Sequence, residues 1–206
     1  MSKKIRVGIV CGDQVQPRFL TIFEALRDAF DASIFAHHHD RLVNQHATGM
    51  KMRLFEQIAD MPGFMRGLED ELSSFDLVIG VETSRLATFQ ALRAARKYGI
   101  SLGVVVSEHL PYFYESFNNI RAIQFDVMGK TDHFWVTSEL ARKNLLLEHA
   151  PADKITLMPP IVDTTRYKYS ADGRKKFRDY VGISADDLVV LVQQELVPVN
   201  KLDQLI

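Results

Sequence analysis

Apolar residues along this chain fall into two recurring patterns. Short unbroken runs rich in Val, Ile and Phe occupy 5–11 (IRVGIVC), 32–36 (ASIFA), 75–81 (FDLVIGV), 102–106 (LGVVV), 134–137 (FWVT) and 154–158. Runs of this kind, closed by glycine or polar residues, predict strands buried on both faces of a parallel sheet. Between them the period changes to that of a helix. Phe19, Ile22, Phe23, Leu26 and Phe30 share one helical face, with Pro17 acceptable in the first turn. Leu86, Phe89 and Leu92 define a second helix, in which Ala87, Ala91, Ala94 and Ala95 allow close approach to a sheet and Gly99 provides a C-cap. Residues 112–129 carry Phe113, Phe117, Ile120, Ile123 and Val127 at helical spacing, and Ser138 is placed to cap a helix reaching His149, with Glu139 in its first turn.

Strand and helix thus alternate up to residue 158, which predicts a Rossmann-like α/β domain: a parallel sheet with helices on both faces. Residues 41–74 fit less regularly and read as a helical excursion, with Leu54, Phe55 and Ile58 on one helix, a break at Pro62-Gly63, and Phe64, Met65, Leu68 and Leu72 on another. Met50, Met52, Met61 and Met65 in this region fill core gaps or form an adaptable apolar surface, gap filling being the commoner use. Residues 159–171 lack a period and form a linker. A helix over 174–181, stopped at Gly182, and a strand over 188–192 then open a second domain, of which 172–206 is the start.

The chain has 206 residues, 47% hydrophobic and 25% charged, enough for a sizeable core. Lys and Arg number 25 against 26 for Asp and Glu, so no overall field argues for nucleic acid. One cysteine, Cys11, excludes an internal disulfide and a thiolate metal site, and favours a reducing, cytoplasmic setting. No run approaches the ~20 apolar residues of a membrane span, and the amino terminus lacks the apolar core of a signal peptide. Arg166, Lys168, Arg174, Lys175, Lys176 and Arg178 form the one basic cluster. A solvated helix face explains it more simply than anionic lipid at the inner face of the membrane or a nucleotide diphosphate.

Candidate chemistry gathers where strands end. The run 102–106 opens abruptly into Ser107, Glu108 and His109, and 75–81 exits through Glu82, Thr83 and Ser84. Ligands of open α/β sheets collect beyond the carboxyl ends of strands. A neutral imidazole at His109 can orient a hydroxyl or stabilise developing charge, while Glu108 can accept from one. The plain alternative is that the two satisfy each other or nearby backbone. The loop after the first strand, with Gly12, Asp13 and Gln16, leads into a helix amino terminus able to receive an anion, but the full glycine fingerprint is absent and a tight connection serves as well. His37, His38 and His39 with Asp40 read as polar loop residues rather than a metal site, since adjacent strand residues point to opposite faces and further ligands are not evident.

Taken together, the opening strand through Gly12, residues 75–100, VVVSEHL at 104–110, FWVTSELAR at 134–142 and ITLMPPIVDTTRY at 155–167 resemble retaining glycosyltransferases of the two-domain GT-B fold, of the group 1 or family 4 type. The resemblance implies that residues 1–158 are the amino-terminal, acceptor-side half of such a fold. It implies transfer of a sugar from a nucleotide-sugar to a hydroxyl of a glycan, lipid or small-molecule acceptor, with no redox cofactor and no required metal. His109 and Glu108 would be the catalytic candidates. Gly12, Asp13, Gln16, Glu82, Thr83, Ser107, Ser138, Glu139 and Lys201 would contact donor or acceptor. Two departures stand out. Pro160 and Ile161 precede Val162 and Asp163 where the family has asparagine and glycine, and a positive-φ turn would be costly at Ile161. Gln194, Glu195 and Asn200 occupy positions of a glycine-arginine pair and a lysine, Lys201 falling one residue late. The expectation is therefore an acceptor-side half, inactive alone, with a noncatalytic binding or assembly protein and a GT-B nucleotide-sugar epimerase as alternatives.

Overall fold

The fold comes from a computed structural model, whose description covers residues 4–12, 24, 28–37, 50–56, 58–113, 115–162, 164 and 167–192. Seven strands form one parallel sheet: β1 (Arg6–Gly12), β2 (Asp31–His37), β3 (Lys51–Phe55), β4 (Leu77–Val81), β5 (Ser101–Val106), β6 (His133–Val136) and β7 (Ile155–Leu157). Their spatial order is β3-β2-β1-β4-β5-β6-β7. The chain winds outward from β1 in one direction and from β4 in the other, so the β1/β4 boundary is a topological switch point. Among the described residues the helices are α1 (Leu68–Glu71), α2 (Leu86–Tyr98), α3 (Asn118–Lys130), α4 (Glu139–Leu147) and α5 (Ala171–Val181).

Both faces of the sheet are buried, as the apolar runs require. One face packs Val10, Phe35, Val78, Leu102, Val104, Val106, Phe134 and Val136 against Leu68, Ala91, Ala95, Val127, Met128, Ala141 and Leu145 from α1 to α4. The opposite face holds Ile9, Ile34, Ile79, Val81 and Val105, with Phe30, Met50, Met52 and Met158 against them. The described helices of the first unit pack against the first of these faces. Phe30 is the described end of the first amphipathic segment; Phe19, Ile22, Phe23 and Leu26 lie outside the described residues. Cys11 is buried in β1.

The described part of 41–74, residues 50–56 and 58–74, departs from the helical expectation. Leu54 and Phe55 belong to a parallel edge strand, with His37 registered on Phe55, and the second run contributes only the single turn α1 followed by a 3-10 turn. An edge strand buries little, and only Phe55 of β3 is fully covered, so the apolar run that betrays a central strand is missing. Met65, Leu68 and Leu72 are nevertheless buried. The irregular backbone is held by Gln90 of α2, whose amide donates to the Met65 carbonyl and accepts from the Met65 amide, both at 2.9 Å. Tyr112, Phe113 and residues 115–117 are likewise not helical. Tyr112 takes a left-handed φ of 58°, and α3 starts only at Asn118. Gly99 ends α2 at φ 68°, and Ser138 Oγ accepts from the Ala141 amide at 3.1 Å to cap α4.

Contacts divide the chain into two units, Met1–Val162 and Asp163–Ile206. In the second, Ser170 caps α5, Gly182 ends it, and buried Arg178 donates to the Ser184 and Asp187 carbonyls. Residues 188–192 form no strand, and Leu188 is 93% exposed. The basic cluster is largely committed within this unit, Lys175 to Asp179 and Arg174 to the Ala185 carbonyl, while Arg166 lies outside the described residues. Among the described non-glycine residues only Glu82, Tyr112 and His149 have positive φ, so Ile161 avoids the strained turn. No described helix is long and apolar enough to cross a membrane.

Candidate functional site

The polar exits of β4 and β5 meet at the carboxyl edge of the sheet, beside the switch point. Because these strands are neighbours in register, with Val81 paired to Val105, the residues that follow them are adjacent. The Glu82 amide continues the ladder by donating to the Val105 carbonyl at 2.9 Å. Its own backbone then turns left-handed, at φ 61°, and drives the side chain under the end of β5. There the carboxylate accepts from the Ser107 amide at 3.1 Å, from the Glu108 amide at 3.2 Å and from the Ser107 hydroxyl. A left-handed φ costs a non-glycine residue of order 1–3 kcal/mol, and three bonds to a charged acceptor offset it.

Glu82 is buried. Burial, and next the neighbouring Glu108 charge, push its pKa above the ordinary carboxylate value, while the Ser107 and Glu108 donors pull it back. Glu108 is partly exposed and differently served. Ser84 Oγ donates to its Oε1 at 2.5 Å, Thr83 Oγ1 approaches Oε2 at 3.4 Å, and Asn144 Nδ2 of α4 holds its carbonyl at 3.0 Å. Two carboxylates therefore stand side by side, one beneath the strand ends and one facing out. Glu108 lines a cavity of about 170 Å³ together with His109, Leu110 and Phe113.

Of the residues expected at a site, the structure brings Glu82, Thr83, Ser107 and Glu108 into one network and places His109 beside Glu108 on the cavity wall. Thr83 and Glu82 are both buried at this edge. Gly12 ends β1 at φ 67°, its α-carbon so close to α2 that a Cβ would stand 3.0 Å from the Ala87 Cβ. Ser138 is occupied in capping α4, and Glu139 pairs with Arg142 on the same helix at 3.5 Å. Asp13, Gln16 and Lys201 lie outside the described residues, as do His38, His39 and Asp40. His37 is buried at the end of β2 with neither ring nitrogen hydrogen-bonded. Among the described residues no group of three His, Cys, Asp or Glu is arranged to hold a metal ion.

Asn144 and Glu148 escape sequence reasoning, which sees only polar residues on a helix. Both are buried, and both reach the loop after β5. Their spacing of four on the face that also carries Ala141 and Leu145 is the signal that was available.

Neither a family model nor a curated protein matches the sequence. Solved structures do share its fold. The Anabaena protein HepE in complex with UDP-glucose superposes with a TM-score of 0.67 at 14% identity, over 86% of this chain and 50% of that one. A UDP-N-acetylglucosamine 2-epimerase of Listeria monocytogenes gives 0.60 at 18% identity, over 75% of this chain and 45% of the other. The Neisseria meningitidis epimerase bound to UDP-GlcNAc gives 0.58 at 16%, over 87% and 54%. This chain thus spans about half the length of the structures it resembles. Its parallel, Rossmann-like sheet matches one half of a GT-B fold.

Proposed function

We propose that this chain is the acceptor-side half of a glycosyltransferase that moves a sugar from a nucleotide-sugar to an acceptor hydroxyl. The observation that carries the reading is the paired-carboxylate edge, in which Glu108 is held by Ser84 and faces a cavity shared with His109. Such a cavity suits a hydroxyl: Glu108 accepts its proton in a hydrogen bond as its oxygen becomes nucleophilic, and the His109 imidazole orients it. Glu82 keeps the Ser107 and Glu108 amides turned inward, so that the Glu108 carboxylate and His109 project from a fixed strand end. Fold neighbours bound to UDP-glucose and UDP-GlcNAc support a nucleotide-sugar as the co-substrate. The donor-binding groups would come from the other half, so the present chain is expected to be inactive alone.

The experiment joins this chain to a complete donor-binding half and follows UDP-glucose and UDP-GlcNAc by NMR, with and without hydroxyl acceptors. Transfer predicts nucleotide release that rises with acceptor and a new glycosidic signal. An epimerase would give an isomeric UDP-sugar without acceptor, and a noncatalytic binding protein would leave the nucleotide-sugar unchanged.

A further inference from the structure

The loop between β5 and α3 carries Glu108 and His109, and it is fastened from outside its own element. Asn144 Nδ2 donates to the Glu108 carbonyl at 3.0 Å. Four residues on, at the end of α4, Glu148 Oε1 accepts from the Tyr112 amide at 2.7 Å. The Tyr112 hydroxyl donates to the Leu147 carbonyl at 2.8 Å. Glu148 is itself fixed: its side chain is 1% exposed and its second oxygen pairs with the Arg121 guanidinium from α3. Arg121 in turn donates to Gln124 at 2.7 Å and lies 4.2 Å over the Phe125 ring.

Residues four apart on a helix are separated by about 6 Å along its axis. Four extended residues from Glu108 to Tyr112 would reach about 13 Å. Anchoring both ends from one turn of α4 therefore makes the intervening His109, Leu110 and Pro111 arch outward, and His109 and Leu110 are exposed. Tyr112 closes the arch with a left-handed φ of 58° that its side chain disfavours and its bond to Glu148 sustains.

We propose that Asn144 and Glu148, the latter braced by Arg121, are positioning residues that set the direction in which His109 and the Glu108 carboxylate face the cavity. This rests on the reading of Glu108 and His109 as the reactive edge. Neither residue meets a ligand; each acts through the loop backbone. Because burying Glu148 serves Arg121 and Tyr112 at once, the same ion pair that ties α3 to α4 also fixes the site loop.

The test uses Asn144→Ala, Glu148→Gln and Glu148→Ala. Glu148→Gln keeps an oxygen for the Tyr112 amide; Glu148→Ala removes it. The His109 imidazole resonance, assigned by its loss in His109→Ala, is followed by NMR in the present chain, with fluorescence of the single Trp135 reporting the core. Asn144→Ala and Glu148→Ala are expected to move and broaden the His109 signal while Trp135 emission is unchanged. Glu148→Gln restores much of the wild-type signal. Tyr112 amide exchange should quicken at least about tenfold in Glu148→Ala, as for a locally opened bond. In the assembled transferase, Asn144→Ala should lower kcat by about 10- to 100-fold with donor KM within about twofold. If Glu148→Ala does not fold, Asn144→Ala and Glu148→Gln decide. A wild-type His109 signal in folded Asn144→Ala overturns the proposal. Transfer unaffected by His109→Ala, with the signal still moving in the anchor variants, would instead remove the reactive-edge reading and leave the positioning intact.

Discussion

Glu82 takes both donors of Ser107, its amide at 3.1 Å and its hydroxyl, although the two residues are 25 positions apart and end different strands. The bond joins the exits of β4 and β5 into one rigid lip. It also puts an ionisable group under the site, with consequences for stability.

A carboxyl whose pKa is raised on folding is more protonated in the folded chain than in the unfolded one, between its unfolded and folded values. Stability then falls as pH rises through that window, and the cost is fully present above the folded value. Glu82 is such a group. Unfolding free energy measured by denaturant should therefore decline on raising the pH from about 4.5, the ordinary carboxylate value, toward neutrality, and Glu82→Gln should remove that part of the slope. An unchanged slope in the variant would place the effect elsewhere.

Ser107→Ala removes the hydroxyl donor and leaves the two backbone amides on Glu82, so it should destabilise the first unit by about 1.5–3 kcal/mol, the range for one hydrogen bond to a charged group. Because Ser107 lowers the Glu82 pKa, its loss should carry that pKa further upward and extend the declining limb to higher pH. Chemical denaturation at several pH values checks both parts.

Gly103 in β5 faces Trp135 of β6, and a Cβ there would stand 2.1 Å from the indole ring. Gly103→Ala should cost about 1–3 kcal/mol by overpacking. Since Trp135 is the only tryptophan, its emission should shift in the same variant. The smaller Trp135→Leu should recover part of the loss in the double variant, a coupling that equilibrium unfolding measures.

Gln90 satisfies both polar groups of the Met65 backbone from within the core. Gln90→Leu leaves the buried Met65 amide without its partner, while the Met65 carbonyl keeps the Leu68 amide at 3.3 Å, so a loss of about 1–3 kcal/mol is expected. Hydrogen exchange at Met65 should rise well before exchange in β4 and β5, which do not depend on this bridge.

The central sheet was legible because its strands are buried on both faces: 102–106 is apolar without interruption, and β5 spans Ser101–Val106. Caps were legible for local reasons, as at Gly99 and Ser138. The edge strand β3 was not, since Lys51, Arg53 and Leu54 stay exposed and erase the apolar run. Nor was the late start of α3 at Asn118, because helical spacing of Phe113 and Phe117 says nothing of a Tyr112 backbone held left-handed by Glu148 across 36 positions. At the candidate site, sequence placed Ser107, Glu108 and Glu82 at strand ends. That Glu82 lies beneath the other two, and that Asn144 reaches them from α4, follows only from register and helix packing.

The account turns on His109 as a group that works on substrate rather than on the scaffold. It is exposed on the cavity wall, so its removal takes little packing. The direct measurement is single-turnover sugar transfer by His109→Ala in a protein joining this chain to a donor-binding half, alongside thermal unfolding of the present chain. The account predicts a loss of roughly 1 to 3 orders of magnitude in transfer, as for a lost transition-state contact, with the melting temperature nearly unchanged. A wild-type transfer rate in the folded variant, or a large fall in melting temperature with the chemistry intact, would contradict it.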